Sequence, residues 1–216
     1  LCDFVRVQDT FPVSPEDLRE EEFRAFFTRC ALSWRPFAAD LPWMPDKRPE
    51  KDLLAALRSQ LADPPSSVQV LSVLSEPGAG GTTQARALAL AAAKAGFPVL
   101  VVKQEAPVPP ALELTGFLFR ASREAANQAA ERGLTDAGEP VWLIVLDVQH
   151  GGRAADDVQR LCAELARSGR KAAILKVSLA NSPLELPESI AHRELIFVQH
   201  ELESSDVEHL GAHSTS

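Results

Sequence analysis

The fold is decided by residues 68–94, which read VQVLSVLSEPGAGGTTQARALALAAAK. The apolar run over 68–74 predicts a buried strand, and the run over 82–95, rich in alanine and leucine, predicts a helix. A short turn that contains three glycines joins them. A strand, a glycine-rich turn and a helix in this order are typical of a loop that holds phosphate groups.

The turn has the chemistry that phosphate binding needs. Glycines lack a Cβ atom, so consecutive backbone N–H groups can point into one concavity that phosphate oxygens approach closely. The N-terminus of the following helix adds unpaired N–H groups and the positive end of its dipole. Thr82 stands where a magnesium-binding serine or threonine is expected. The predicted cofactor-binding residues of the turn are Gly78, Ala79, Gly80, Gly81, Thr82 and Thr83.

The turn departs from the motif GxxxxGK[ST] at two positions, because Ser75 replaces the first glycine and Gly81 replaces the lysine. A glycine-rich turn of this kind can also serve close packing alone. If it binds phosphate, another cation must neutralise the charge. Lys103 at the end of the second strand is the first candidate and is predicted to bind the cofactor, and Lys176 at the end of the fourth is the second. Each lysine is alternatively a solvated strand-end charge. Arg86 lies one turn into the helix and could approach phosphate, but a surface position is expected for it.

A second motif, VWLIVLD over 141–147, is an apolar strand that ends in Asp147, some 65 residues after the turn. This order predicts a Walker B aspartate, so we expect Thr82 and Asp147 to bind the metal and Asp147 to be catalytic. The alternative is an acid that ends a strand and caps the next turn. Many ATPases follow this aspartate with a glutamate that activates water, but here Val148 follows, and Gln149 and His150 are the nearest polar substitutes. At most slow hydrolysis is expected.

The rest of the chain alternates apolar runs with helix-length segments, which indicates a parallel sheet with helices on both faces. The predicted fold class is therefore α/β, a P-loop NTPase-like three-layer sandwich with a mainly parallel five-stranded sheet. Further strands are predicted over 99–103, 141–147, 172–178 and 194–200, and helices over 14–28, 49–61, 111–132 and 154–168. The predicted divisions are a lead-in segment over 1–66, a core over 67–202 and a following segment or frayed tail over 203–216.

Composition excludes several classes of function. The net charge of −8 and the pI near 5.2 disfavour autonomous binding of nucleic acid. Cys2, Cys30 and Cys162 have neither disulfide nor metal-ligand spacing. No apolar run approaches the roughly 20 residues that span a bilayer, so no membrane span and a cytoplasmic location are expected. A start at Leu1 suggests a piece of a longer polypeptide.

The segment PGAGGTT resembles the lysine-less GGTT loop in the NTPase domain of the sterile alpha motif domain-containing protein 9 and 9-like family, and of related bacterial STAND-type NTPases. This resemblance implies a large cytoplasmic, interferon-linked antiviral protein that restrains growth, in which a nuclease domain cleaves transfer RNA to repress translation and the NTPase region regulates it. Weaker similarity to the family extends to 26–29 with Ser33-Trp34, 46–48, Lys103, 139–147, 186–190 and 201–203.

Three functions stay open at this stage. The first is a regulatory switch that binds ATP or GTP, or the diphosphate, with Mg²⁺, and that acts on neighbouring domains of the same polypeptide or through self-association. The second is a slow ATPase. The third is a pseudo-NTPase, an interaction and oligomerisation module whose loop is empty. The absent lysine and Val148 favour the first and third.

Overall fold

The computed structural model describes residues 2–28, 33–39, 50–60, 68–102, 108–131, 139–147, 154–181, 183 and 185–198. Within these ranges six strands form one sheet in the order β1-β3-β4-β5-β2-β6. All neighbouring strands are parallel except β1, which pairs antiparallel with β3. The strands are β1 Cys2–Phe4, β2 Gln69–Ser75, β3 Val99–Val102, β4 Trp142–Leu146, β5 Ala172–Leu179 and β6 Ala191–Val198.

Helices cover both faces of the sheet. Side chains alternate along each buried strand, so in β4 Leu143 and Val145 face one helical layer while Ile144 and Leu146 face the other. Helices α3 and α4 cover the first face, and α5 and α6 cover the second. The predicted α/β three-layer sandwich is confirmed. The helices are α1 Glu20–Thr28, α2 Arg35–Ala38, α3 Glu50–Ser59, α4 Gly81–Lys94, α5 Ala111–Glu131 and α6 Ala154–Arg167.

The predicted number of five strands is wrong, because β1 adds a sixth. The five predicted strands all form, and their ends differ from the prediction by up to three residues. The additional strand has only three residues, of which Asp3 is charged, so no apolar run indicated it. It forms because the outer edge of β3 offers unpaired backbone groups, and Cys2 takes its place opposite Val102.

The predicted helix over 14–28 is interrupted. A single 3-10 turn covers Pro15–Asp17, the backbone is extended at Leu18, and α1 begins only at Glu20. The backbone N–H of Arg19 donates to Glu22 Oε2 at 3.1 Å, which satisfies an N–H group at the new helix start. The acidic stretch therefore contains two helix starts, one at Pro15 and one at Glu20. The sequence pattern predicted a single helix because it did not distinguish the two.

Segments that precede residue 67 share their apolar surface with the sheet and α4. Leu53 and Leu57 of α3 are fully buried in the same cluster as Leu88 of α4. Phe37 of α2 packs with Leu90, also of α4. The division of the chain at residues 66 and 202 stays a prediction. None of the described helices has the length and apolarity that crossing a membrane requires.

Candidate functional site

The glycine-rich turn over 76–80 lies between the carboxyl end of β2 and the start of α4. Two backbone hydrogen bonds fix the start of this turn to the neighbouring strand ends. The Ser75 carbonyl accepts from the N–H of Ala180 at 2.9 Å, and the N–H of Glu76 donates to the carbonyl of Val198 at 2.9 Å. The ends of three adjacent strands, β5, β2 and β6, thus hold its first residue in place. Ligands bind at this carboxyl edge in open α/β sheets.

Two glycines give the turn its shape. Gly78 has a φ of 83° and Gly80 a φ of 101°, both in the left-handed region that residues with a Cβ atom rarely adopt. Gly80 is the N-cap of α4, and its carbonyl accepts the N–H of Gln84 at 2.9 Å. Glycine has no side chain, so no side-chain hydrogen bond caps the start of α4. A helix N-terminus of this kind is suited to bind an anion through its backbone N–H groups.

The structure brings the two predicted metal ligands together. Thr82 Oγ1 in the first turn of α4 donates to Asp147 Oδ1 at 3.0 Å, although 65 residues separate them in sequence. Asp147 directly follows β4 and is only 2% exposed. Its other oxygen, Oδ2, is buried and accepts no hydrogen bond from any residue in the described part of the chain. Burial of an acceptor without a donor is costly unless a ligand satisfies it.

Burial also changes the protonation of this carboxyl. Loss of water contact raises the pKa of Asp147 to about 6, and the Thr82 hydrogen bond and the charges of Arg86 and Lys176 only partly oppose the rise. A divalent cation would favour the ionised form. The donor set fits Mg²⁺, which takes oxygen ligands, typically one or two carboxylates together with water and substrate phosphates. Among the described residues no group of three or more metal-ligating side chains offers an alternative.

Arg86 is not the surface residue that was expected. It lies one helical turn after Thr82, is half-buried, and holds its guanidinium carbon 5.7 Å from the centre of the Trp34 ring. Burial lowers its pKa, while the nearby carboxylates of Asp147 and Asp3 act in the opposite direction. The sequence allowed Arg86 to approach phosphate but favoured a surface position, although its i+4 spacing from Thr82 places both on one face of the helix.

Lys176 is not a solvated strand-end charge either. It lies within β5, paired in register with Ser72 of β2 and Leu146 of β4, and is 3% exposed. Its Nζ donates to the carbonyl of Val177. Burial lowers its pKa to about 8, and the charge of Asp147 counteracts part of that effect. A lysine buried between the two strands that carry the site is a candidate functional residue.

Several predicted positions lie outside the described residues, and two further loop residues lie beside the glycines. Lys103, the first candidate for the compensating cation, lies outside the described residues. So do Val148, Gln149 and His150, which follow the Asp147 strand. The remaining loop residues, Ala79 and Thr83, are half-buried beside the glycines, and the Ala79 N–H donates to the carbonyl of Glu76 at 3.1 Å.

These features define a class of protein. A largely parallel sheet carries a glycine-rich turn between strand and helix, and a neighbouring strand ends in an aspartate bonded to the helix threonine. This is the arrangement of a P-loop NTPase. The chain belongs to the family Novel STAND NTPase 7, which matches residues 57–215. Membership makes it a nucleotide-binding regulatory domain of the STAND type.

A chain in the solved structure of the HORMA:CdnC:Trip13 complex of E. coli MS115-1 is similar, with 16% identity and a TM-score of 0.39. The similarity covers 68% of this chain and 49% of that chain, so this chain spans about half the length of the one it matches. No curated protein matches the chain.

Proposed function

We propose that this domain is a regulatory switch that binds ATP or GTP, or the diphosphate, together with Mg²⁺. The observation that carries the proposal is the pair of Thr82 and Asp147, with the hydroxyl 3.0 Å from one carboxylate oxygen and the other oxygen buried without a donor among the described residues. In the proposed complex both side chains hold the metal, and the backbone of 78–83 holds the phosphates. Asp147 is then the residue closest to any hydrolytic step.

Charge is the main difficulty of this site, because the loop has no lysine. Two unit charges about 4 Å apart interact by about 4 kcal/mol at an effective dielectric constant near 20, so an uncompensated triphosphate would bind poorly. The helix terminus supplies roughly half a charge. Lys176 and Arg86 both act electrostatically on Asp147 and therefore lie within reach of the site. We assign the missing compensation to a lysine from the sheet, with Lys176 supported by its position and Lys103 by the resemblance.

Regulation requires that the two conformations of the switch differ in nucleotide affinity, since equal affinity shifts no equilibrium. Arg86 supports such coupling. Its guanidinium acts on Asp147 in the site and stacks on Trp34, which belongs to the segment before the core. A metal ion at Asp147 would change the charge that Arg86 experiences, and the change would reach Trp34. Hydrolysis, if it occurs, is proposed to be slow.

The resemblance to the sterile alpha motif domain-containing protein 9 and 9-like family extends the proposal to the whole protein. On that basis the domain regulates a cytoplasmic protein of antiviral defence that restrains translation and growth, and its partners are neighbouring domains of the same polypeptide. The support is the GGTT loop and the Asp147 strand. An empty-loop interaction module is the alternative.

The decisive experiment is to identify the nucleotide that copurifies with the protein and to measure binding directly. We expect denaturation to release a purine nucleotide, or the melting temperature of the empty protein to rise with millimolar ATP or GTP and Mg²⁺. Parallel titrations with each nucleotide, with and without Mg²⁺, identify the base and the metal requirement. An empty protein with no thermal shift under any of these conditions contradicts nucleotide binding and favours the interaction module.

Lys176→Met is expected to weaken nucleotide affinity more than tenfold at fixed Mg²⁺, equivalent to about 1.4 kcal/mol. Methionine fills a similar volume without the charge, so the empty protein should not be less stable. The control is Lys171→Met, just before the opposite end of β5, which should leave affinity unchanged. Calorimetry on both variants and on Lys103→Ala tests the idea, and unchanged affinity in Lys176→Met and Lys103→Ala alike would exclude a compensating lysine at either position.

A further inference from the structure

Position 81 has no room for a side chain, so only glycine fits there without a rearrangement. A Cβ atom built on Gly81 would lie 2.4 Å from Ser75 Oγ and 2.7 Å from Ser75 Cβ, with Val177 Cγ1 at 3.3 Å on another side. The first two distances are shorter than real Cβ atoms tolerate. Gly81 is the first residue of α4, and its φ is not in the left-handed region that makes glycine necessary at Gly80. The requirement therefore comes from Ser75, across the turn.

The backbone of Ser75 cannot easily move to relieve this clash. It is 2% exposed and is the last residue of β2, paired in register with Leu179 of β5 and Val198 of β6. Its carbonyl accepts the N–H of Ala180, and the next N–H in the chain donates to Val198. Hydrogen bonds on both sides fix the backbone from which the serine side chain projects. A residue with a Cβ atom at 81 would have to displace α4 or these strand ends.

We infer that Ser75 and Gly81 are coupled replacements. Position 75 carries a side chain where the motif has glycine, and position 81 has lost the side chain that the motif carries there. The motif GxxxxGK[ST] places glycine first and the side chain of lysine sixth after it. Here serine is first and glycine is sixth after it. Side chains at both positions would clash, so Ser75 requires glycine at 81 and Gly81 leaves room for the side chain at 75. The two departures from the motif therefore have a single cause.

Ser75 is accordingly a positioning residue. It sets the distance between the end of β2 and the first turn of α4, and it commits the loop to hold phosphate by backbone N–H groups alone. This functional part of the inference rests on the proposed nucleotide binding, whereas the steric part does not. A lysine cannot be restored at 81 by a single substitution, and the charge must come from outside the loop.

The steric part is tested by melting temperature in the absence of nucleotide. Alanine normally stabilises a helix relative to glycine, yet Gly81→Ala is expected to lower the melting temperature by at least about 5 °C. Gly116→Ala in α5 is the matched control, because its Cβ would meet only Arg120 Nη1 at 3.7 Å. It should melt at or above the temperature of the unmodified protein.

Rescue identifies the partner. The double variant Ser75→Gly with Gly81→Ala should recover most of the loss, and Ser75→Ala with Gly81→Ala should recover less, because Ser75→Ala removes the oxygen at 2.4 Å but keeps the carbon at 2.7 Å. Each double variant is compared with its own Ser75 single variant. A Gly81→Ala protein as stable as the unmodified one, or no rescue by Ser75→Gly, would overturn the pairing.

The functional part is tested by affinity for fluorescent analogues of ATP and of GTP, each with Mg²⁺. Gly81→Lys alone should bind at least tenfold more weakly than the unmodified protein, and Ser75→Gly with Gly81→Lys should bind at least as tightly as the unmodified protein. Equal affinity of the single and double lysine variants would overturn the inference. If no variant binds nucleotide but the pattern of melting temperatures holds, the steric pairing stands and the proposed function is wrong.

Discussion

Replacing Gly80 by valine is expected to lower nucleotide affinity at least a hundredfold. Gly80 has a φ of 101° and a ψ of 18°, which a β-branched residue adopts only with strain. Valine would turn this peptide away from the left-handed region, and the N–H groups at the start of α4 would no longer point into one cradle. The Gly80 carbonyl would also lose its hydrogen bond from Gln84. Calorimetry with ATP or GTP and Mg²⁺ measures the effect.

Gly96→Val is a matched control for backbone strain. Gly96 follows the other end of α4 with a φ of 89°, and an added Cβ atom would meet nothing within 4 Å. Both substitutions therefore put valine at a left-handed backbone position, with similar strain, and both should lower the melting temperature. Only Gly80→Val should lose binding. Affinity within about threefold of the unmodified protein in Gly80→Val would show that the turn does not hold the phosphates.

The fold could be predicted because its strands carry a strong local signal. Strands buried on both faces require continuous apolar runs, and the runs around Val70, Val101 and Ile144 stand out from the helices between them. Strand β1 has no such signal. Its three residues pair with the edge of β3. The position of β1 therefore depends on that edge and cannot be read from its own sequence.

The site could be predicted only in part, for a similar reason. The order of motifs brought Thr82 and Asp147 to the same edge of the sheet, because parallel strands share that edge, and the two side chains are in contact. The burial of Lys176 and Arg86 depends on which elements cover them. Arg86 is covered by Trp34 from a segment distant in sequence. The conflict between Ser75 and a side chain at Gly81 depends on a distance across the turn, which no spacing rule contains.

Asp147→Asn is expected to abolish Mg²⁺-dependent binding and to stabilise the empty protein above about pH 6. The folded-state pKa of Asp147 is about 6 against an ordinary 3.8, so the folded protein holds the proton more tightly than the unfolded chain does. This contribution to stability is complete below about pH 4 and is lost as the pH rises through about 6, which costs about 3 kcal/mol in total.

Asparagine has no charge to bury, so the loss of stability between about pH 4 and pH 8 should become shallower in the variant. Its oxygen can still accept from Thr82, but it is a poor magnesium ligand, so affinity at pH 7.5 should fall at least a hundredfold.

Urea unfolding without metal at pH 4.5, 6 and 7.5, with calorimetry on the same samples, measures both effects, and Asp156→Asn on the exposed first turn of α6 should change neither. A residue kept at a cost to stability and needed for binding is the mark of a functional site. A variant that is less stable at pH 7.5 and binds normally would instead make Asp147 a structural cap.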